Sequence, residues 1–319
     1  MDNLTHSLVG WALAETGLKR RTRKGLAATV LAANLPDIDV FFGWAPWLPL
    51  AMHRGVTRGL IGGVLLLPPV LAILLWLLDR WQARRGRLAD DGPPMRFGWL
   101  LALCWIGALT HPLLDLQNVY AIQLLSPASE RWFHADGLFI ISPWLLAMLG
   151  LGIWRARRGG SGRPAMLALA GSALFIAVNI GISALAWAAP SRDGPNAKPD
   201  RIFAAPEPLL FWRRDVIWRQ DGFVVQGRYD PLRRLDGLVD FGAPVPDRMQ
   251  EPIVRRAAQA TAQARKFLAW SQMPVARVEQ GHCRAAVTFG DARFTGPAMS
   301  RNFNTSVTVP VGGPGCAGG

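Results

Sequence analysis

What this 319-residue chain lacks narrows its chemistry first. There is no H-E-x-x-H, which removes a zincin-type protease, and no G-x-S-x-G elbow for a serine hydrolase. No G-x-x-x-x-G-K-[ST] loop and no Rossmann glycine fingerprint is present, so nothing supports an ATP- or NAD-driven activity. Cysteine is scarce, at three. Cys104 lies in an apolar run and reads as a small core residue, whereas Cys283 and Cys316 fall in a polar tail where a disulfide is permitted outside the cytoplasm. Acidic residues are also few, 22 against 35 Lys and Arg, for a net charge of +13.

Such a charge would suit nucleic acid, but its distribution excludes that reading. Fourteen basic residues fall in three places: Lys19, Arg20, Arg21, Arg23 and Lys24; Arg80, Arg84, Arg85, Arg87 and Arg96; and Arg155, Arg157, Arg158 and Arg163. The intervening segments hold only Arg54, Arg58 and Arg131. Between the basic places lie hydrophobic runs, and half of all residues are hydrophobic. Residues 59–78 and 164–189 are long enough to cross a ~30 Å hydrocarbon layer as helices. Residues 97–118 and 137–154 are further candidates, and 2–18 and 25–43 are shorter or more polar. The pattern predicts a mainly α, polytopic membrane bundle of about six spans over residues 1–189. The positive-inside rule puts the basic loops in the cytoplasm and both chain ends outside, so the expected location is a bacterial inner membrane with a periplasmic tail. The first run has its basic residues after it and no small-residue cleavage site, so it is expected to be retained.

What the chain does have is a set of ionisable residues gathered at the outer ends of these runs. They are His6 in LTHSLVG, Asp37 and Asp39 in NLPDID, His53 in MHRGVTRG, and His111 with Asp115 in THPLLDLQN. Ionisable groups are costly in or beside a membrane span and therefore mark function. Imidazoles mixed with carboxylates are ligands for zinc-like divalent metals. His111 and Asp115 are four apart and share a helical face. His134 and Asp136 fall in the next outer segment. Bland alternatives exist for each: Asp37 or Asp39 as a turn residue after Pro36, or Asp115 paired with Arg54 or Arg58. Their convergence on one side of the membrane favours a metal site.

The segments THSLVG, NLPDID, HRGVTRG and HPLLDLQN, in this order among apolar runs, resemble the YdjM-like family of predicted membrane-bound metal-dependent hydrolases. The likeness extends through LLSPASERWFHADGLFIISPW and into PEPLLFWRRDVIWRQDGFVVQGRYD. It departs at Ser142, where an acidic residue would be expected. The ligand order is also similar to the first part of that in zinc-dependent phospholipases C. That resemblance implies Asp39, His53, His111 and Asp115 around one metal and His6 at a second, with one or two zinc ions, or manganese, as cofactor. The later His-x-x-x-acid pair of those enzymes has no counterpart, since His134 is followed by Leu138.

Zinc chemistry would activate water, with Asp37 as proton acceptor or orienting carboxylate and Arg54 and Arg58 clamping an anionic phosphoryl group. The expected partner is a membrane lipid or lipid-linked phosphoester, with no nucleic acid. The alternative is a non-catalytic membrane scaffold, or partner-regulating protein, with at most a structural metal. Residues 190–319 read as a small extracytoplasmic α+β domain after a Pro- and Arg-rich linker. Its expected strands are GFVVQGRY, CRAAVTF and NTSVTVPV, with an amphipathic helix over residues 248–270. His282 beside Cys283 cannot make a metal site alone.

Overall fold

The computed structural model describes residues 1–42, 57–88, 92–193, 198–294 and 303–311, with 39–42 as backbone only. Contacts divide the chain into two compact units. One holds the N-terminal helices through Ser183 together with Ala205–Trp212, and the other holds Ala184–Ala204 and the chain from Arg213 on.

The first unit is helical. α1 (Asn3–Glu15) starts at Asp2, whose carboxylate accepts the Thr5 N–H at 3.0 Å and so satisfies one of the free donors of the first turn. α2 (Gly25–Asn34) runs on into a 3-10 segment, Leu35–Phe42. A π-helical turn, Leu60–Leu66, precedes α3 (Leu67–Arg84), which opens on Pro68 and Pro69. Neither proline can donate a backbone hydrogen bond, which accounts for the irregular turn just ahead of them. α4 spans Phe97–Asp115, α5 Pro143–Gly159 and α6 Arg163–Asp193, the last of which passes into the second unit at Ala184. Ser142 caps α5 by accepting from Leu145 N–H, and Gly160 (φ 62°) closes it in the left-handed conformation. A serine thus supplies at this position the capping oxygen that an aspartate would also supply.

Three of these helices, Leu60–Arg84, Phe97–Asp115 and Arg163–Asp193, are long and apolar enough to cross a membrane. At 13, 10 and 17 residues, α1, α2 and α5 are shorter. Leu65, Leu66, Val70 and Leu74 of Leu60–Arg84, and Leu167 and Leu174 of α6, point outward, as lipid-facing side chains must. The inner faces bury Ala28, Ala32, Leu71, Leu75, Leu100, Leu103, Cys104 and Ala108 in one cluster. A second cluster joins Val9, Ala12, Leu114, Leu145, Leu149 and Ile153.

The three basic loops meet at one end of this bundle. Arg20 donates to Gly160 O, Arg23 to Pro93 O, and Lys24 to the Gln82 side chain. α4 (Phe97–Asp115) leaves that end and, at 1.5 Å per residue, reaches His111 about 21 Å and Asp115 about 27 Å away.

The second unit is β-rich. β1 (Arg201–Pro206), β2 (Arg214–Gln220), β3 (Phe223–Tyr229) and β4 (Asp240–Phe241) lie in that order, with β5 (Val245–Pro246) also on β3. β2 and β3 form an antiparallel hairpin from Arg214↔Tyr229 to Gln220↔Phe223. Its turn is Asp221-Gly222, both at positive φ (52° and 78°), which matches the strand twist. A second antiparallel sheet runs β6 (Pro274–Gln280), β7 (Arg284–Asp291), β8 (Asn304–Pro310).

Two expectations change in detail. The single helix over 248–270 is two, α7 (Pro252–Ala260) and α8 (Ala262–Trp270), because Thr261 adopts an extended conformation and caps α8 through Ala264 N–H. The linker from residue 190 begins later, because α6 continues through Pro190 to Asp193. The expected strands within GFVVQGRY, CRAAVTF and NTSVTVPV are present as β3, β7 and β8. Cys283 is disulfide-bonded and Cys104 is a buried free thiol, while Cys316 lies outside the described residues.

Candidate metal centre

Small residues bring the elements of the site together. A methyl group on Gly107 of α4 would lie 2.5 Å from the Thr29 carbonyl oxygen of α2, and one on Gly10 of α1 would lie 2.7 Å from the same oxygen. Both glycines are therefore needed for α1 and α4 to clasp α2 at backbone contact, a packing mode favoured where lipid gives helices no other reason to associate. One turn beyond Gly107, His111 then reaches the end of α2. Its Nδ1 lies 2.8 Å from the Ala33 carbonyl oxygen. A carbonyl only accepts, so Nδ1 carries the proton, and in the neutral ring the lone pair is at Nε2.

That Nε2 is 3.4 Å from Asp37 Oδ1 and 3.4 Å from Asp115 Oδ2. The His6 ring stacks on His111 with centroids 4.0 Å apart and planes 14° from parallel, and its Nε2 is 3.4 Å from Asp115 Oδ1. Arg58 ties the carboxylates together: Nη1 donates to Asp115 Oδ2 at 2.7 Å, and Nη2 pairs with Asp37 Oδ1. The amino group of Met1 pairs with Asp115 Oδ1. Every one of these groups is buried, His6, His111 and Asp115 completely.

His6, Asp37 and His111 can each offer one ligand atom, all within 4.8 Å of one another. Both ring nitrogens of His6, and Nε2 of His111, are buried without a hydrogen-bond partner. A buried imidazole left in that state is costly unless something takes the lone pair of its unprotonated nitrogen. Two ligands each about 2.1 Å from a tetrahedral ion lie about 3.4 Å apart, which is the separation of His111 Nε2 from Asp37 Oδ1. Two imidazoles and a carboxylate are a donor set suited to zinc. The residues fit a divalent cation.

The structure sorts the sequence candidates differently from the sequence. His6, His111 and Asp115 come together as expected. Asp37, expected as a proton acceptor outside the ligand set, stands among the ligand atoms. His53 and Arg54 lie outside the described residues, as does the side chain of Asp39. Arg58, expected as a clamp for substrate, is 4% exposed and bridges Asp37 and Asp115. The bland pairing of Asp115 with Arg58 is therefore real, and it sits within the same cluster. His134 Nδ1 and Asp136 Oδ1 form their own pair at 2.9 Å, and Ser183 donates to the Asp136 carbonyl. The chain around them joins the residues just after α4 through Ala135 N–H to Leu116 O and Leu138 N–H to Gln117 O. Sequence reasoning missed the Ala33 carbonyl and the Met1 amino group. A backbone oxygen carries no residue-type signal, and a first residue reads as an ordinary one.

Apolar helices with a buried, polar, metal-competent cluster at one end define a helical membrane protein. The family description that matches is YdjM inner membrane protein, over residues 1–188. The chain belongs to that family, and its β-rich unit lies beyond the match. No curated protein and no solved structure matches the chain.

Proposed function

We propose that this chain is a membrane-bound, metal-dependent hydrolase acting on the phosphoester of a lipid or lipid-linked substrate. The observation that carries the reading is the buried His6–Asp37–His111 cluster with its unpartnered imidazole nitrogens. His6 Nε2, His111 Nε2 and an Asp37 oxygen would hold one zinc or manganese ion, with Asp115 alongside for a second. When bound, such an ion supplies Lewis acidity to a phosphoryl oxygen and acidifies water. The chain's own residues do the rest. Ala33 O fixes the His111 tautomer, Arg58 orients both carboxylates, and the packed helices keep bulk solvent away.

Six spans with a periplasmic site and tail complete the proposal. The support is the gathering of the basic loops at the bundle end opposite the cluster.

One observation favours a second, non-catalytic reading. Arg58 already pairs with both Asp37 and Asp115, so part of the carboxylate charge in the cluster is balanced by a side chain. Elemental analysis of detergent-purified wild type beside His6→Ala/His111→Ala separates the two. One or two equivalents of zinc or manganese, lost in the variant along with phosphoester turnover, supports the hydrolase. Wild-type protein that stays metal-free after reconstitution with both ions leaves the scaffold.

A further inference from the structure

We infer that the β1–β5 sheet beds one face into the lipid interface where α6 leaves the membrane, and that its apolar cavity takes a lipid acyl chain. Among the described residues, every large hydrophobic side chain of the second unit that is exposed falls between Phe223 and Val245: Phe223, Leu232, Leu235, Phe241 and Val245. Leu232 is 76% exposed, the most of any large hydrophobic residue described. Among the described residues none occurs from residue 246 onward, through both short helices and the second sheet. An apolar patch confined to one sheet marks a contact surface.

Its occupant follows from where the chain anchors it. α6 is 31 residues long, about 46 Å, against ~30 Å of hydrocarbon. Its apolar run ends at Ala189, and Ser191, Arg192 and Asp193 form its polar tip. The Asp193 carboxylate accepts from Leu238 N–H at 2.6 Å and pairs with Arg234 at 2.6 Å. The loop bearing Leu232 and Leu235 is thus fixed to the residue at which a spanning helix turns polar. Beside it, a cavity of about 390 Å³ is lined by Pro190 of the same helix with Trp218, Phe223, Leu238 and Phe241. Aromatic and leucine side chains held at that level enter the headgroup–acyl boundary.

Charge decides what kind of lipid contact this is. Arg192, Arg213, Arg228, Arg233 and Arg234 are matched by Asp193, Asp221, Asp230, Asp236 and Asp240, with Arg213 against Asp230, Arg228 against Asp240 and Arg234 against Asp193 and Asp236. A face without net charge gains little from anionic headgroups, so burial of apolar surface drives the contact.

The test uses the full chain in phosphatidylcholine nanodiscs, with photoreactive p-benzoylphenylalanine in place of Phe241 or Leu232 and, as control, of exposed Gln259 on α7. Lipid adducts several-fold above the Gln259 level, unchanged by added salt or by phosphatidylglycerol, are expected. Adducts no higher than at Gln259, or cross-links to protein in their place, overturn the inference, the second result pointing to a partner chain. Hydrogen exchange on the unsubstituted protein guards against misfolding. Residues 230–242 should exchange more slowly in nanodiscs than in a lipid-free amphipathic polymer, and equal rates count against the lipid contact. Neither readout depends on metal binding or hydrolysis.

Discussion

The Nδ1 of His111 bonds to the carbonyl oxygen of Ala33, 78 residues away in sequence. One hydrogen bond thereby sets the tautomer and plane of a ring whose other nitrogen faces two carboxylates. It exists only because Gly107, one turn earlier, lets α4 touch α2.

Gly107→Ala is the direct check on that dependence. The added methyl meets the Thr29 carbonyl at 2.5 Å and Ala32 Cβ at 3.0 Å, so the helices must separate. Overpacking of this kind costs about 1–3 kcal/mol. Misorientation of a ligand ring costs about 10–100-fold in metal affinity. Zinc titration of the purified variant should therefore show weakened binding with the ligands all present. Unchanged affinity would mean that His111 does not need Ala33.

Asp37 divides the sequence reading from the structure. Residue type and placement made His6, His111 and Asp115 legible, because a charge in an apolar run has few innocent explanations. The apolar runs and basic loops likewise gave the long helices. That Asp37 reaches the ligand atoms was not legible, since it depends on how α2 tightens into a 3-10 segment after Asn34. Neither was the break at Thr261, where one residue turned extended inside an amphipathic pattern. Asp37→Asn should lower metal content at least as much as Gly107→Ala does, by roughly 10–100-fold in affinity. A loss confined to Asp39→Asn would return the ligand role to Asp39.

Arg58 offers a stability test. It is buried between Asp37 and Asp115, and removing one partner of a buried ion pair costs about 3–5 kcal/mol. Arg58→Met should therefore lower the unfolding temperature of metal-free protein in detergent. Added zinc should restore much of that loss, because a divalent ion compensates the same two carboxylates. Destabilisation that zinc leaves untouched would make Arg58 the permanent cation of the cluster and argue for the scaffold.

The β-rich unit has its own pH dependence, centred on Asp291. Burial pushes its carboxyl up, but Arg293, Ser271 and the Arg293 N–H outweigh burial and hold it below the usual carboxylate range. Arg293 is itself stacked over Phe203, Trp270 and Phe294, so the pair joins β7 to the aromatic core. A carboxyl with a lowered folded pKa contributes stability in full above its unfolded pKa and loses it as pH falls through the folded one. Stability of this unit should accordingly be flat in this term from neutral pH down to about 5 and decline below about 4. Asp291→Asn should remove that acid-dependent portion and leave Arg293 as an unpaired buried cation, so the variant is less stable at neutral pH with a shallower acid slope. Tryptophan fluorescence of wild type and variant across this range, followed to unfolding by denaturant, measures both. Parallel acid slopes would show that Asp291 titrates alike in the folded and unfolded chains and that its contacts with Ser271 and Arg293 do not select the charged form.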